Sequence, residues 1–239
     1  MGEREVLLKT GTLEPRDARL ASKLLAKAKT NSNLGDRIKV ISSLLMGYPY
    51  VIHPLTGSKT QAETFVTRMD GFDCVTYVET VLALAESKNI DDFPERLREI
   101  RYEQGVVEWR KRLHYTTEWS DYHIRRGFLL DLTVGEGTIE RIKRLDYLPE
   151  LAPKTGHFRY FPTRMLPQVC RRLRDGDLIY FVSTRKGLDV FHVGLLIKNG
   201  GHFHLRHAAH SRKAVVEQEL FDFVRANRMS GFIINRPSQ

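Results

Sequence analysis

Gly71-Phe72-Asp73-Cys74-Val75-Thr76-Tyr77-Val78-Glu79 is the stretch from which the fold of this chain is best read. Asp73 is a good N-cap, and the apolar positions Val75, Val78, Leu82 and Ala85 recur behind it at helical spacing. The pattern predicts a helix from Cys74 to about Ser87, with the cysteine in its first turn. A thiolate there is stabilised by unpaired backbone N–H groups and the helix dipole. The same N–H groups can form an oxyanion hole beside it. Free cysteines are also commonly small core residues, so position alone leaves nucleophile and core filler both open.

Upstream, the chain reads as helical. Glu14–Ala28 carries Ala18, Ala21, Leu24 and Leu25 on one face, with Pro15 at the start. Leu34–Met46 is a second apolar-rich helix, ended by Gly47 and Pro49. Asp92–Arg101 follows the cysteine helix, with Phe93, Leu97 and Ile100 facing inward. Gly105 to Pro162 has no clean period: 138–145 fits helix or strand, and 156–162 reads as an edge segment. A long irregular stretch of this kind is usually functional, often a lid or pocket wall. Met165–Leu173 is a short amphipathic helix containing Cys170, read as structural.

The C-terminal third turns to β. Strands are expected at Leu178–Val182 and Val190–Ile197, then, after the turn Asn199-Gly200-Gly201, at His202–Ala208. Ala214–Gln218 and Phe232–Asn235 add two more, separated by a helix at Leu220–Arg225. Helices first and an antiparallel meander afterwards predict an α+β class. The chain reads as one catalytic domain over 1–239. Its parts are N-terminal helices (1–46), the cysteine-helix subdomain (47–104), a pocket-forming insertion (105–174) and an antiparallel sheet carrying histidines (175–239).

Composition narrows the functional classes. A 41% hydrophobic fraction supplies a core, and no apolar run reaches the roughly 18 residues a membrane span needs. Met1–Thr12 shows no secretory signal, its apolar content stopping at Val6-Leu7-Leu8. The net charge of +9 favours an anionic partner such as nucleic acid, a membrane surface or peptidoglycan. The basic residues are scattered and alternate with acids on helices, which reads first as a solvated, salt-bridged face. Two cysteines make no disulfide framework, and both are expected as thiols.

A thiol nucleophile needs a base, and the base an orienting partner. His192, in Val190-Phe191-His192-Val193-Gly194, is the best candidate base, because Gly194 shares its strand face and leaves space beside the ring. On the next strand, alternation puts Phe203, Leu205 and His207 on one face and His202, His204 and Arg206 on the other. If the apolar residues mark the core side, His207 lies inward and His204 faces solvent. A strand histidine is often merely structural; the order cysteine, histidine, histidine is what argues for chemistry. The tract His202, His204, His207, His210 also admits a metal reading, but it lacks the Cys pairs or helical His-Glu-x-x-His that would support one.

These residues resemble the NlpC superfamily of papain-like cysteine peptidases and amidases. The likeness is closest to its N-acetylmuramoyl-L-alanine amidase-like family. The marks are Gly47-Tyr48-Pro49-Tyr50-Val51, Phe72-Asp73-Cys74 through Thr80, and Arg112-Leu113-His114-Tyr115 through Trp119. Gly187 through Gly194, His207-Ala208-Ala209 and the closing Gly231 through Pro237 complete them. Two departures stand out: Phe191 where the branch has a small residue, and His207-Ala208-Ala209 where it has His-Ala-Ser.

The resemblance implies a papain-like α+β fold, with an antiparallel half-barrel sheet packed on the cysteine helix. It implies Cys74 as nucleophile, His192 as base and His207 as orienting residue. Asp73 is implied as cap and substrate contact, and Tyr50 as a hydrogen bonder near the thiolate. Tyr115 and Trp119 are read as pocket walls able to stack on a sugar, or equally as packing. The implied reaction is hydrolysis of the amide between N-acetylmuramic acid, in plain or anhydro form, and L-alanine in peptidoglycan fragments. A γ-D-glutamyl–diamino acid endopeptidase is the alternative enzyme, and a non-catalytic binder of an anionic polymer the alternative of another class. The expectation is a monomer acting on muropeptides, with no cofactor, metal, nucleic acid or integral membrane segment. Its expected place is the periplasm, with a signal already removed.

Overall fold

The computed structural model describes residues 13–31 and 33–238. Met1–Thr12, where the sequence shows no secretory signal, lies outside the described residues. Among those described, the fold is mixed helix and antiparallel sheet, as an α+β class requires. The chain forms two compact units: 1–113 with 207–216, and 114–206 with 217–239.

The first unit holds α1 (Pro15–Ala28), α2 (Leu34–Leu44), α3 (Cys74–Glu86) and α4 (Asp92–Arg101). These match the expected helices closely, because each carries a one-sided apolar pattern or a strong cap. Asn33 caps α2 by accepting from the Asp36 N–H at 2.8 Å. The central helix is α3, whose residues Thr76 to Ala85 are all buried. A helix buried on every side lies inside its unit rather than on its surface, and the polar residues it buries need partners. Tyr77 fixes it to α2 by donating its hydroxyl to the Ser42 carbonyl at 3.1 Å.

The second unit begins with α5 (Thr116–Arg125), β1 (Leu129–Asp131) and a hairpin of β2 (Ile139–Leu145) and β3 (Lys154–Tyr160). The stretch expected to be irregular is therefore largely ordered. Next come the short α6 (Leu166–Val169), β4 (Leu178–Val182) and β5 (Val190–Asn199). The remaining elements are β6 (His202–Ala209), β7 (Ala214–Glu219), α7 (Leu220–Ala226) and β8 (Gly231–Pro237). The six-stranded sheet runs β1-β8-β4-β5-β6-β7. The unit boundaries at 206/207 and 216/217 fall inside β6 and β7. One face of the sheet builds the core of the second unit, where Ile179, Phe181, Leu196, Leu205, Phe223 and Phe232 are buried together.

Candidate active site

Cys74 is the first residue of α3 and is half-buried. The chain reaches it through a full capping box. Asp73 Oδ1 accepts from the N–H groups of Val75 (3.1 Å) and Thr76 (2.8 Å). The Thr76 hydroxyl in turn accepts from the Asp73 N–H at 3.0 Å. This corrects one expectation: the Val75 and Thr76 donors serve the cap, so neither is spare for an oxyanion.

A short extended segment braces this helix start. The Phe72 N–H donates to the Pro49 carbonyl at 3.0 Å, and the Val51 N–H to the Phe72 carbonyl at 2.9 Å. On its other side the segment pairs with the start of β7. Tyr50 N–H donates to the Lys213 carbonyl at 2.9 Å, and Val215 N–H to the Tyr48 carbonyl at 2.8 Å. Gly71 permits this closeness, since a Cβ there would lie 2.4 Å from Val51 Cγ2 and 3.0 Å from the Pro49 carbonyl oxygen. Pro49-Tyr50 thus ties the residue pair before Cys74 to the chain that follows His207.

Tyr50 is the expected site residue that this bracing brings to the cysteine. Its phenol is pushed up to about 12 by burial first, and then by the charges of Cys74 and Asp73. Its ring meets that of His210 edge-on at 5.2 Å. The sequence did not single out that contact, though His210 belongs to the histidine tract. His207, also of the first unit, is buried at 2% exposure on the same side of β6 as Phe203 and Leu205. Its neighbour in that tract departs from expectation. His204 is half-buried, with Nδ1 enclosed and without a hydrogen-bond partner, rather than facing solvent.

In the second unit, His192 lies on β5 opposite Phe181. The register shifts there: Phe181 faces His192 but Val182 faces Val190, so Phe191 is the extra residue of a β-bulge. The departure from the family pattern thus falls on the one position of the strand that has no cross-strand partner. The His192 ring stacks on Phe223 with centroids 5.5 Å apart, and on Phe181 at 6.3 Å. Asp189, just before the strand, accepts from the Thr117 N–H at 2.7 Å and its hydroxyl at 2.8 Å. These aromatic and carboxylate supports fix the strand, and no local spacing announces them.

Tyr115 and Trp119 are 1% and 4% exposed. The Tyr115 hydroxyl accepts from the Leu148 N–H at 3.3 Å, and Trp119 meets His123 edge-on at 4.5 Å. Of the two readings the sequence allowed, these contacts belong to packing. Both cysteines are thiols. Burial pushes the Cys170 thiol up to about 11, with the Glu219 charge adding to it. Among the described residues, no group of three or more His, Cys, Asp or Glu side chains is placed to hold a metal ion. No helix among them is long and apolar enough to cross a membrane.

Comparison with known proteins bears on the fold and the family. A protein of Legionella pneumophila superposes with a TM-score of 0.81 at 22% identity, over 94% of this chain and 95% of its own, a likeness of fold. An N-acetylmuramoyl-L-alanine amidase of Bacteroides uniformis gives a TM-score of 0.75 at 26% identity, over 87% of this chain and 100% of its own. A Bacteroides fragilis protein named as a putative xylanase gives 0.70 at 26% identity, over 82% and 98%. No curated protein matches the chain. The model of the N-acetylmuramoyl-L-alanine amidase-like family matches residues 40–232, a span that holds Tyr50, Cys74, His192 and His207, and the chain belongs to that family.

Proposed function

We propose that this chain is a cysteine amidase that cleaves the bond between the lactyl group of N-acetylmuramic acid and L-alanine in peptidoglycan fragments. The observation that carries the reading is Cys74 at the capped first turn of α3, within the span that the family model matches. The amidase named among similar structures, and the net charge of +9 suited to an anionic substrate, support it.

In this reading His192 takes the proton from the Cys74 thiol, and the sulfur attacks the lactyl carbonyl. The Cys74 N–H at the positive end of α3 steadies the oxyanion. His192 returns the proton to the departing alanine nitrogen as the carbon–nitrogen bond breaks. It then deprotonates a water that resolves the thioester, releasing the sugar acid and regenerating the thiol. His207 orients His192. Asp73 holds the helix start and meets substrate, and Tyr50 contacts the sulfur. The reaction calls for no cofactor. We place the enzyme in the cell envelope, acting as a monomer on muropeptides, of which the anhydro form is one candidate.

Mass spectrometry of digested muropeptides tests this. An amidase yields free sugar acid plus an intact stem peptide beginning with L-alanine, and Cys74→Ala abolishes both products. A shortened dipeptide stem would instead establish the endopeptidase. Release of the same products by Cys74→Ala would refute the cysteine mechanism.

A further inference from the structure

Residues 183–189 join β4 to β5, the strand that carries His192. Thr184, Arg185 and Lys186 at the tip are exposed, yet both legs of the connection are caught by β2 and the residues just after it. Lys143 Nζ donates to the Ser183 carbonyl at 3.0 Å, where the chain leaves β4. It also donates to the Leu188 carbonyl at 2.6 Å, two residues before β5. Between these, the Gly187 carbonyl accepts from the N–H groups of Asp146 (3.1 Å) and Tyr147 (3.2 Å). Gly187 allows that approach, since a Cβ there would lie 2.3 Å from Asp146 Oδ1, and its φ is +77°. The Ser183 N–H closes the loop on the Asp189 carbonyl at 2.7 Å.

Lys143 differs from an ordinary surface lysine. It is half-buried, and burial first, then the Arg141 charge, pushes its ammonium down against the pull of Asp189. A surface lysine keeps its head in water. Here the head makes two charge-assisted bonds to carbonyls of one loop. The hairpin has other anchors: Arg141 ties β2 to Ser230 Oγ at 2.8 Å, and Leu145 is buried. A second observation is the bulge at Phe191, where the pairing with β4 skips a residue. The ladder with β4 therefore does not by itself set the path from Val190 to His192. That path depends on the chain just before it, and Lys143 holds the Leu188 carbonyl there.

We propose that Lys143 is a positioning residue for the base of the reaction. By holding both legs of the 183–189 connection it fixes the bulged start of β5, and through it the seat of the His192 ring on Phe181 and Phe223. The proposal rests on the reading of His192 as the base. A base must lie within hydrogen-bond reach of the proton it takes, and a misplacement of about an ångström costs up to about a hundredfold in rate. Lys143 thereby acts on the chemistry through the backbone, without touching substrate.

The test compares Lys143→Met, which nearly keeps the length and loses the charge, with Lys143→Arg, which keeps the charge and the donors. On muropeptides Lys143→Met should lower kcat about tenfold or more with KM within about twofold of the parent, and Lys143→Arg should recover most of that loss. In Lys143→Met, amide hydrogen exchange should speed up at 187–192 while β2 and β3 keep their protection. The His192 Cε1–H resonance should broaden or double. Native kcat in Lys143→Met, a raised KM at unchanged kcat, or no recovery in Lys143→Arg would each overturn the proposal. So would exchange that rises evenly across the second unit. Should Lys143→Met fail to fold, Lys143→Gln takes its place with the same expected and refuting results. If the parent chain shows no amidase activity, the reading of His192 as base fails on its own. Unchanged exchange and an unchanged His192 resonance in Lys143→Met would still overturn the clamp.

Discussion

Arg101 Nε donates to Glu79 Oε2 at 2.7 Å, and the two side chains are 2% and 3% exposed. Glu79 sits on α3 five residues beyond Cys74, and Arg101 ends α4. The same guanidinium donates to the Val66 carbonyl at 2.6 Å, tying the helix pair to the segment before the cysteine. Burial pushes the Glu79 carboxyl up against the pull of the Arg101 charge. Removing one partner strands a buried charge, so Arg101→Met should cost roughly 3–5 kcal/mol in urea unfolding. The double change Glu79→Leu with Arg101→Met should recover much of that loss. A single variant as stable as the parent would contradict this view of the pair.

Asp73 carries two separable duties. Asp73→Ala removes the acceptor for Val75 and Thr76 and should lower stability by about 1 kcal/mol. Asp73→Asn keeps the cap and should stay within a few tenths of a kcal/mol of the parent. If the carboxylate also meets substrate, Asp73→Asn raises KM on muropeptides at near-native stability. Equal kinetics for the two proteins would confine Asp73 to the cap.

The two thiols should react very differently. With Cys170 pushed up to about 11, only about a thousandth of it is thiolate at pH 8. Iodoacetamide should therefore label Cys74 well before Cys170, as followed by site-resolved peptide mass spectrometry. Cys170→Ala should leave amidase activity intact. Faster labelling of Cys170 would reverse the roles assigned here.

Tyr50 predicts a pH effect of definite sign. Its folded-state value of about 12 lies above its ordinary 10, so the stability linked to its neutral phenol is complete below pH 10. It is lost as pH rises through about 12. The difference in alkaline absorbance titration between the native chain and Tyr50→Phe should show one phenol ionising near pH 12. Ionisation near 10 would place Tyr50 in open solvent, away from Cys74 and Asp73.

The elements that the sequence predicts well are those with one clear apolar face or a strong cap. Helices α1 to α4 and strands β4, β5, β6 and β8 emerge near their predicted bounds for that reason. The β2–β3 hairpin does not, because only Leu145 and Tyr160 of its fourteen residues are buried. Helix α5 is hidden for a related cause: its buried positions are Trp119, Ser120 and His123, a polar and aromatic set that breaks the hydrophobic period.

For the site, the cap Asp73, the first-turn Cys74 and the inward parity of His207 follow from local rules, since capping and strand alternation act over a few residues. The proposed scissile bond rests on resemblance to a family, which no spacing conveys. Only the tertiary structure placed Tyr50 between Phe72 and Lys213, put the bulge at Phe191 beside His192, and buried Tyr115 and Trp119. Each of these depends on partners more than twenty residues away or on cross-strand register. Such contacts form when the chain closes on itself, and the residues that make them carry no mark of it in their immediate neighbours.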